Sequence, residues 1–470
     1  MKNTKIVSTI GPATDSKETI TELVDAGVNV IRQNFSHVNH KQHSKIYDRI
    51  RETSEKTATM ADTKGPEIRL GEVEEDTELK QGEKVLLTTD ETTGNSEKLP
   101  VKYKDLLEYI EVGDEVRIDD GKIELEVTSF KNGEAECTVE YGGEVATRKA
   151  VNVPGRDIGL RAPTEKDRKD IEFAAEKGYD FISVSFVKHA EDVKKVREIL
   201  EEHDSEADII SKIEHRKGVE NFDEILEESD GIMVARGDLG VEMPAAELPG
   251  LQKQMIEKCN KAGKPVITAT QMLESMTENS TATRAEISDV ANAVLDGTDA
   301  VMLSGETAIG DYPVKTVQFM SEIVEEAEIT IKEQLHHTIK EKPKNVSDRI
   351  CKAVWQTSND GDSDLIVAHT RSGSTARNIA KHRPKTDIIA LTDKETVERQ
   401  LQIVWGVTPY YQEFQDSTDQ MIQDTAQRLQ SLDLAEPEDE LILTAGIPTP
   451  EEGTTNMMQI RTLKHILNNE

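Results

Sequence analysis

The feature that most restricts this chain is a phrase repeated through its first two thirds: an amphipathic helix, a glycine, then a short apolar run ending in polar residues. The first instance is the clearest. Asp15 and Glu18 read as a capping-box-like start, Ile20, Leu23 and Val24 fall at helical spacing, and Gly27 marks the stop. Residues 28–31 then read as a strand. Gly178 precedes the run 181–184, Gly231 precedes 232–234, Gly263 precedes 265–267 and Gly297 precedes 300–303 in the same manner. Adding runs 5–7, 58–60 and 209–210 makes eight buried-type strands, most of them separated by helical segments. Such alternation implies parallel pairing, and eight units predict a closed (β/α)8 barrel of the TIM type. A doubly wound open sheet is the competing arrangement for the same periodicity.

Between about residues 70 and 154 this grammar disappears. Lys84-Val85-Leu86-Leu87, Glu115-Val116-Arg117-Ile118 and Glu124-Leu125-Glu126-Val127 alternate as strands do, with Asp120-Gly121, Asn132-Gly133 and Gly142-Gly143 read as turns. Residues 70–154 are therefore expected to form a small β lid, a β-barrel, inserted after the third strand. Functional loops of a barrel follow its strands, so the lid would cap the active face of a catalytic barrel made of 1–69 and 155–330. Beyond about Ser321 a third region begins. Runs 365–368, 387–390, 441–444 and 457–460 read as strands, and 376–380 and 397–401 as helices, so 331–470 is expected to be a smaller α/β domain.

Charge narrows the partners. Lys and Arg number 57 against 91 Asp and Glu, a formal charge of −34, which opposes binding to nucleic acid or to an anionic membrane. A site for anions would need local positive charge against that field. The acidity is also compatible with a salty cytoplasm, where screening relaxes self-repulsion. No apolar stretch approaches the ~18 residues of a membrane span and no leader opens the chain, so a cytoplasmic protein is expected. Cys137, Cys259 and Cys351 lack metal-ligand spacing and read as small core residues in a reducing compartment.

In a barrel the strand ends converge on one mouth although they are distant in sequence. Strand two ends in Arg32-Gln33-Asn34-Phe35-Ser36-His37 and strand three in Asp62 to Arg69. Strand four delivers Ser185, strand five Lys212 and Glu214, strand six Arg236-Gly237-Asp238, strand seven Thr270, and strand eight Ser304 and Glu306. Glu214 and Asp238 are hard oxygen ligands suited to Mg²⁺ that keeps waters and binds substrate oxygens; the plainer alternative is ion pairing with Lys212 and Arg236. Backbone N–H groups from Gly237 onward can receive an anion. Lys212 and Arg32 can neutralise charge on a transferring phosphoryl group, where positioning and electrostatics do most of the catalysis. Asn34, Ser36, Asp62 and Thr63 are oxygen donors with one formal charge, a set that suits a monovalent cation, although these residue types are also common in turns. In the C-terminal region, Thr370-Arg371-Ser372-Gly373-Ser374-Thr375 lies between a strand and a helix. It reads either as a phosphate cradle or as an ordinary capped turn.

Thr4 to Pro12, Asp62 to Arg69, Ser211 to Glu214, Val234 to Gly240, Ala269 to Met276, Thr283 to Glu286 and Met302 to Ala308 occur in this order. In these segments the chain resembles the pyruvate kinase family along nearly its whole length. The resemblance implies a barrel, a β lid and a C-terminal regulatory domain, and transfer of the phosphoryl group of phosphoenolpyruvate to ADP, giving pyruvate and ATP in glycolysis. It implies that Lys212 stabilises the phosphoryl group and the developing enolate, that Glu214 and Asp238 hold Mg²⁺ or Mn²⁺, and that Ala235, Arg236, Gly237 and Asp238 receive the substrate carboxylate. Arg32 and Ser185 would face the substrate, and Thr270 would belong to the network that protonates the enolate. Asn34, Ser36, Asp62 and Thr63 match the family's K⁺ site, and Glu67 matches the glutamate of its K⁺-dependent members. Asn34, His37, Arg69, Lys149 and Asp119 would contact nucleotide, Arg69 also aiding catalysis. Residues 370–375 match the effector loop for a phosphorylated allosteric ligand, and a homotetramer is implied. Gln33 and Ser280-Thr281-Ala282 depart from the family pattern beside the chemistry. The N-terminal extension of animal members and the extra C-terminal domain of some bacterial ones are not expected. Two rivals remain: a carbon–carbon lyase on a related pyruvate-binding barrel, and a catalytically silent effector-binding homologue.

Overall fold

The computed structural model describes residues 2–334, 343–414, 417–446 and 455–468. Eight parallel strands close into a barrel: Lys5–Ile10, Val30–Asn34, Ala58–Asp62, Phe181–Val184, Asp208–Ile213, Gly231–Ala235, Val266–Ala269 and Ala300–Leu303. Strand one pairs with both strand two and strand eight, so the sheet has no edge and the doubly wound alternative is excluded. Every strand residue except Asn34 and Asp208 is buried, which is why these strands read as continuous apolar runs rather than alternating ones.

A repeated device fastens the floor of the barrel. Asp180, Asp230 and Asp299 stand just before strands four, six and eight, and each carboxylate accepts a backbone N–H of a neighbouring strand: Thr59 at 2.8 Å, Ile209 at 2.8 Å and Val266 at 3.0 Å. Arginines of the C-terminal domain land on the same floor, Arg399 on Asp180 at 2.6 Å, Arg377 on Asp208 at 2.7 Å and Arg383 on Asp299 at 3.0 Å. The third domain therefore packs opposite the mouth and leaves the strand ends open to the lid.

Several local expectations need correction. The first helix, Lys17–Asp25, is capped by Ser16, whose hydroxyl accepts the Thr19 N–H at 3.1 Å; Asp15 instead faces Arg49. Strand two begins at Val30, and the Asn29 side chain just before it accepts the Ile6 N–H at 3.0 Å. Helix Pro313–Gln334 runs straight through Ser321.

The lid is a seven-stranded sheet with a separate two-stranded pair. Asn132-Gly133 joins Ile123–Lys131 to Glu134–Tyr141 as a two-residue hairpin turn, both residues in the left-handed region at φ 52° and 82°. Gly142-Gly143 is not a simple turn: Gly143–Glu144 pairs with Glu78–Leu79, and a side chain on Gly142 would collide with the Leu79 carbonyl. The C-terminal sheet has five strands. Val407–Tyr411, which the sequence reading lacked, forms one edge, and Met457–Thr462 pairs antiparallel at the other. Cys137, Cys259 and Cys351 are buried thiols, as expected. Among the described residues no helix is long and apolar enough to cross a membrane.

Candidate active site

Strands two to five gather their terminal side chains around Asp62, which is 1% exposed. Oδ2 of Asp62 accepts from Arg32 Nε at 2.6 Å and Oδ1 from Lys212 Nζ at 3.1 Å. Lys212 Nζ also donates to Ser185 Oγ at 2.7 Å and stands 2.9 Å from Glu214 Oε1. Ser185 Oγ in turn donates to the Thr63 carbonyl at 2.7 Å, and Arg32 Nη1 donates to Thr9 Oγ1 at 2.9 Å. Burial alone would raise the Asp62 pKa, but Arg32 and then Lys212 outweigh it and hold the carboxylate below its usual range.

Lys212 and Glu214 shift in ways that look contradictory for one ion pair. Burial opposes the lysine charge, yet Asp62 and Glu214 together overcome it and push Lys212 above the ordinary lysine value. Burial also raises Glu214; Lys212 draws it back, but Asp238 and Asp62 add repulsion, so its carboxyl ends above the ordinary range. The asymmetry is one of neighbours: the lysine faces several carboxylates, whereas the glutamate faces one nearby cation and further anions. Asp238 is likewise raised, first by burial in the crowded cleft, although its tip reaches solvent there.

The Glu214 and Asp238 carboxyls are near enough for each charge to act on the other. Two neighbouring carboxyls that repel one another are what a divalent cation would neutralise, and Phe186 N–H steadies Glu214 Oε2 at 2.7 Å. The donor set therefore fits a hard divalent ion that takes its remaining ligands from water and substrate. Among the described residues no group of three or more His, Cys, Asp or Glu side chains could hold a metal by itself.

Strand six leads into helix Arg236–Glu242, with Ala235 at its cap. Thr270, in the left-handed region at φ 66° and followed by Gln271 at 55°, accepts the Gly237 N–H at 2.7 Å and donates to the Ala269 carbonyl at 2.6 Å. Two consecutive non-glycine residues in that region are strained, and such strain collects at functional sites. Gly237's amide is thus already taken by Thr270. Arg236 turns outward: its guanidinium holds Asp289 at 2.6 Å and the Thr270 carbonyl at 2.7 Å, so it braces the strand-seven loop instead of facing the cleft.

Asn34, Ser36, Asp62 and Thr63 do come together. Asn34 and Asp62 are register partners, Asn34 Oδ1 accepts the Ser36 N–H at 3.0 Å, and Thr63 Oγ1 accepts the Ser185 N–H at 3.1 Å. His37 is exposed beside them.

The cleft between lid and mouth is a cavity of about 280 Å³ whose walls include Glu67, Arg69, Asp119, Asp120, Lys149 and Asp238. Lys149 Nζ meets Asp119 at 2.8 Å, and Arg69 meets Glu67 at 2.7 Å. Asp119 and Asp120 occupy consecutive left-handed positions before Gly121. The charge of Asp120 reaches Asp238 across the cleft. Sequence reasoning also missed Lys188, His215 and Glu242 on the cleft wall, because single polar residues after a strand or within a helix carry no spacing signal.

In the C-terminal domain, Arg371 is bound to Asp393 at 2.6 Å, Ser372 Oγ donates to Ser374 Oγ at 3.1 Å, and Thr375 is turned inward onto Thr455 at 2.7 Å. Gly373 lies in the left-handed region at φ 78°, and Thr370 Oγ1 is buried without a partner among the described residues.

Comparison with known proteins places this geometry in context. Residues 1–317 match the family described as pyruvate kinase, barrel domain, and residues 348–461 match that described as pyruvate kinase, alpha/beta domain. The chain is 46% identical over 476 residues to a pyruvate kinase of Geobacillus stearothermophilus, covering 99% of this chain and 81% of that protein. It is 45% identical over 469 residues to one of Staphylococcus aureus, covering 98% and 80%. A crystal structure of a pyruvate kinase from Cryptosporidium parvum matches with a TM-score of 0.93 at 41% identity, covering 98% of this chain and 96% of that one.

Proposed function

The chain belongs to the pyruvate kinase family and transfers the phosphoryl group of phosphoenolpyruvate to ADP, and on that footing we propose that Lys212, Arg32, Glu214 and Asp238 carry the transfer at the barrel mouth while the lid grips the nucleotide. The observation that carries this reading is the placement of Lys212 Nζ, a buried ammonium within 3.1 Å of Asp62, Ser185 and Glu214. An oxygen of the ADP terminal phosphate attacks phosphorus, the bond from phosphorus to the enol oxygen breaks, and its electron pair stays on that oxygen. Lys212 then faces both the moving phosphoryl group and the enolate, and Arg32 neutralises a further phosphoryl oxygen. A proton delivered to the methylene carbon completes pyruvate, and the Thr270 hydroxyl belongs to the network that delivers it. The divalent ion required, Mg²⁺ or Mn²⁺, would be held by Glu214 and Asp238 and would neutralise and align substrate oxygens. Ser185 holds Lys212 in place, and Ala235, Gly237 and Asp238 border the substrate carboxylate, Arg236 supporting them from behind.

Asn34, Ser36, Asp62 and Thr63 are proposed to take K⁺, with Glu67 balancing charge nearby; equal turnover in K⁺-free and K⁺-containing buffer would refute this. Asn34, His37, Arg69, Lys149 and Asp119 are proposed to contact ADP or ATP, supported by the shared cleft that includes Arg69, Lys149 and Asp119. Residues 370–375 are proposed to bind a phosphorylated effector. Boundaries at 70, 154 and 331, a cytoplasmic location and a homotetramer complete the reading. A coupled pyruvate-release assay with and without ADP tests the whole: release that ignores ADP would favour the lyase, and ligand binding without turnover the silent homologue.

A further inference from the structure

The chain returns from lid to barrel through residues 152–160, and this strap lies against Glu242, the last residue of helix Arg236–Glu242. No step of phosphoryl transfer uses Glu242, yet it lines the cleft and is only 4% exposed. Its Oε2 is buried with no hydrogen-bond partner among the described residues. Donors stand close by. The Asn152 side chain and the Gly155 amide, both of the strap, face the carboxyl. His215 Nδ1 accepts the Lys217 N–H at 3.0 Å, so its proton sits on Nε2, which lies 3.4 Å from Glu242 Oε2 and 3.3 Å from the Arg156 carbonyl. Beside them Lys188, 3% exposed, approaches Asp157 of the strap at 3.5 Å. On the neighbouring lid strand Arg117, the register partner of Asn152, donates to the carbonyl of Val241. The two lid segments that touch residues 241 and 242 are thus those leading to Asp119 and from Lys149. The far end of the same helix carries Asp238.

We propose that Glu242 is a positioning residue: its carboxyl is the socket onto which the lid's return strap closes, tying the grip on a nucleoside diphosphate to the helix that carries Asp238. A buried carboxyl oxygen without a donor is unfavourable, and groups at 3.3–3.4 Å need a shift of only about half an ångström to become full hydrogen bonds. Closure of the strap makes bonds that an open lid lacks. Glu242 acts through Asn152 and His215 and touches no reacting atom. The proposal rests on the phosphotransfer reading of the cleft.

Steady-state kinetics on the full chain test it. With Glu242→Ala, KM for ADP rises about tenfold while KM for phosphoenolpyruvate stays within about twofold. Glu242→Gln, which keeps the shape and an acceptor, recovers most of the loss. Asn152→Ala reproduces the ADP effect and adds nothing in the double variant, because both changes remove one latch. Equal changes for the two substrates, additive effects in the double variant, or an unchanged KM for ADP would overturn the proposal. If Glu242→Ala does not fold, Asn152→Ala carries the test alone, and an unchanged KM for ADP in it is the overturning result. Full turnover by Lys212→Met would instead overturn the reading of the cleft, so the two failures are distinguishable.

Discussion

Barrel mouth and lid face each other across one cleft and manage charge in opposite ways. At the mouth, Arg32 and Lys212 are buried and converge on Asp62, with Ser185 and Thr9 taking further donors. On the lid, Lys149 and Lys122 share Asp119 in contact with solvent, and at the lid's root exposed Arg69 leans on Glu67. Charges withdrawn from water must be paired in advance, and removing one partner leaves the other stranded. Solvated pairs are weak and exchange partners readily. The mouth is therefore suited to hold a transition state in one geometry, and the lid to trade its internal pairs for those of an incoming nucleotide.

The sharpest way to break this contrast is to remove the central ammonium. Lys212→Met should lower kcat by about a thousandfold or more without weakening Mg²⁺ binding, read by a coupled assay and a metal titration. A modest loss would mean that the mouth is no more preorganised than the lid. Next in size is Asp62→Ala, which strands two buried cations and should cost about 3–5 kcal/mol in urea unfolding; a change below about 1 kcal/mol would place the mouth's charges in effective contact with water.

Proton competition sharpens the comparison further. Burial pushes Glu214 up to about 7, with the Asp238 charge adding to it against Lys212. Divalent metal must displace that proton, so metal affinity should fall by about tenfold from pH 8 to pH 6. In metal-free protein the same group binds a proton in the folded state that the unfolded chain has released. Its contribution to stability is therefore present below the ordinary glutamate range and is lost as pH rises to about 7, and added metal should oppose that loss. Metal affinity that does not vary with pH would contradict the raised carboxyl of Glu214. The smallest expected effect is on the lid. Lys149→Ala should raise KM for ADP by about threefold to fivefold and leave the unfolding midpoint unchanged, because its partner Asp119 stays solvated and keeps Lys122.

Much of the architecture was legible because it is written in local pattern. Buried barrel strands read as apolar runs, Asn132-Gly133 demands a tight hairpin, and the glycines at 178 and 263 end helices in the left-handed region. Edge strand Val407–Tyr411 escaped notice: Pro409 sits inside it and its burial is partial, so its pattern resembles a loop. The strand-end residues were found because a barrel brings such ends together by topology. Their orientations were not found. Arg236 lies in the most recognisable motif of strand six, yet its guanidinium is committed to Asp289 and to the Thr270 carbonyl.

What the sequence determined by itself was the order of elements, the closed barrel and the chemical types at its mouth, all of which follow from periodicity, turn residues and the convergence of parallel strands. Only the tertiary structure decided which charges pair. Asp62 meets Lys212 across 150 residues, the Gly237 amide goes to Thr270 across 33, and Glu242 lies beneath the returning lid. Hydrogen bonds act over about 3 Å, and no local pattern encodes a distance that the fold alone creates.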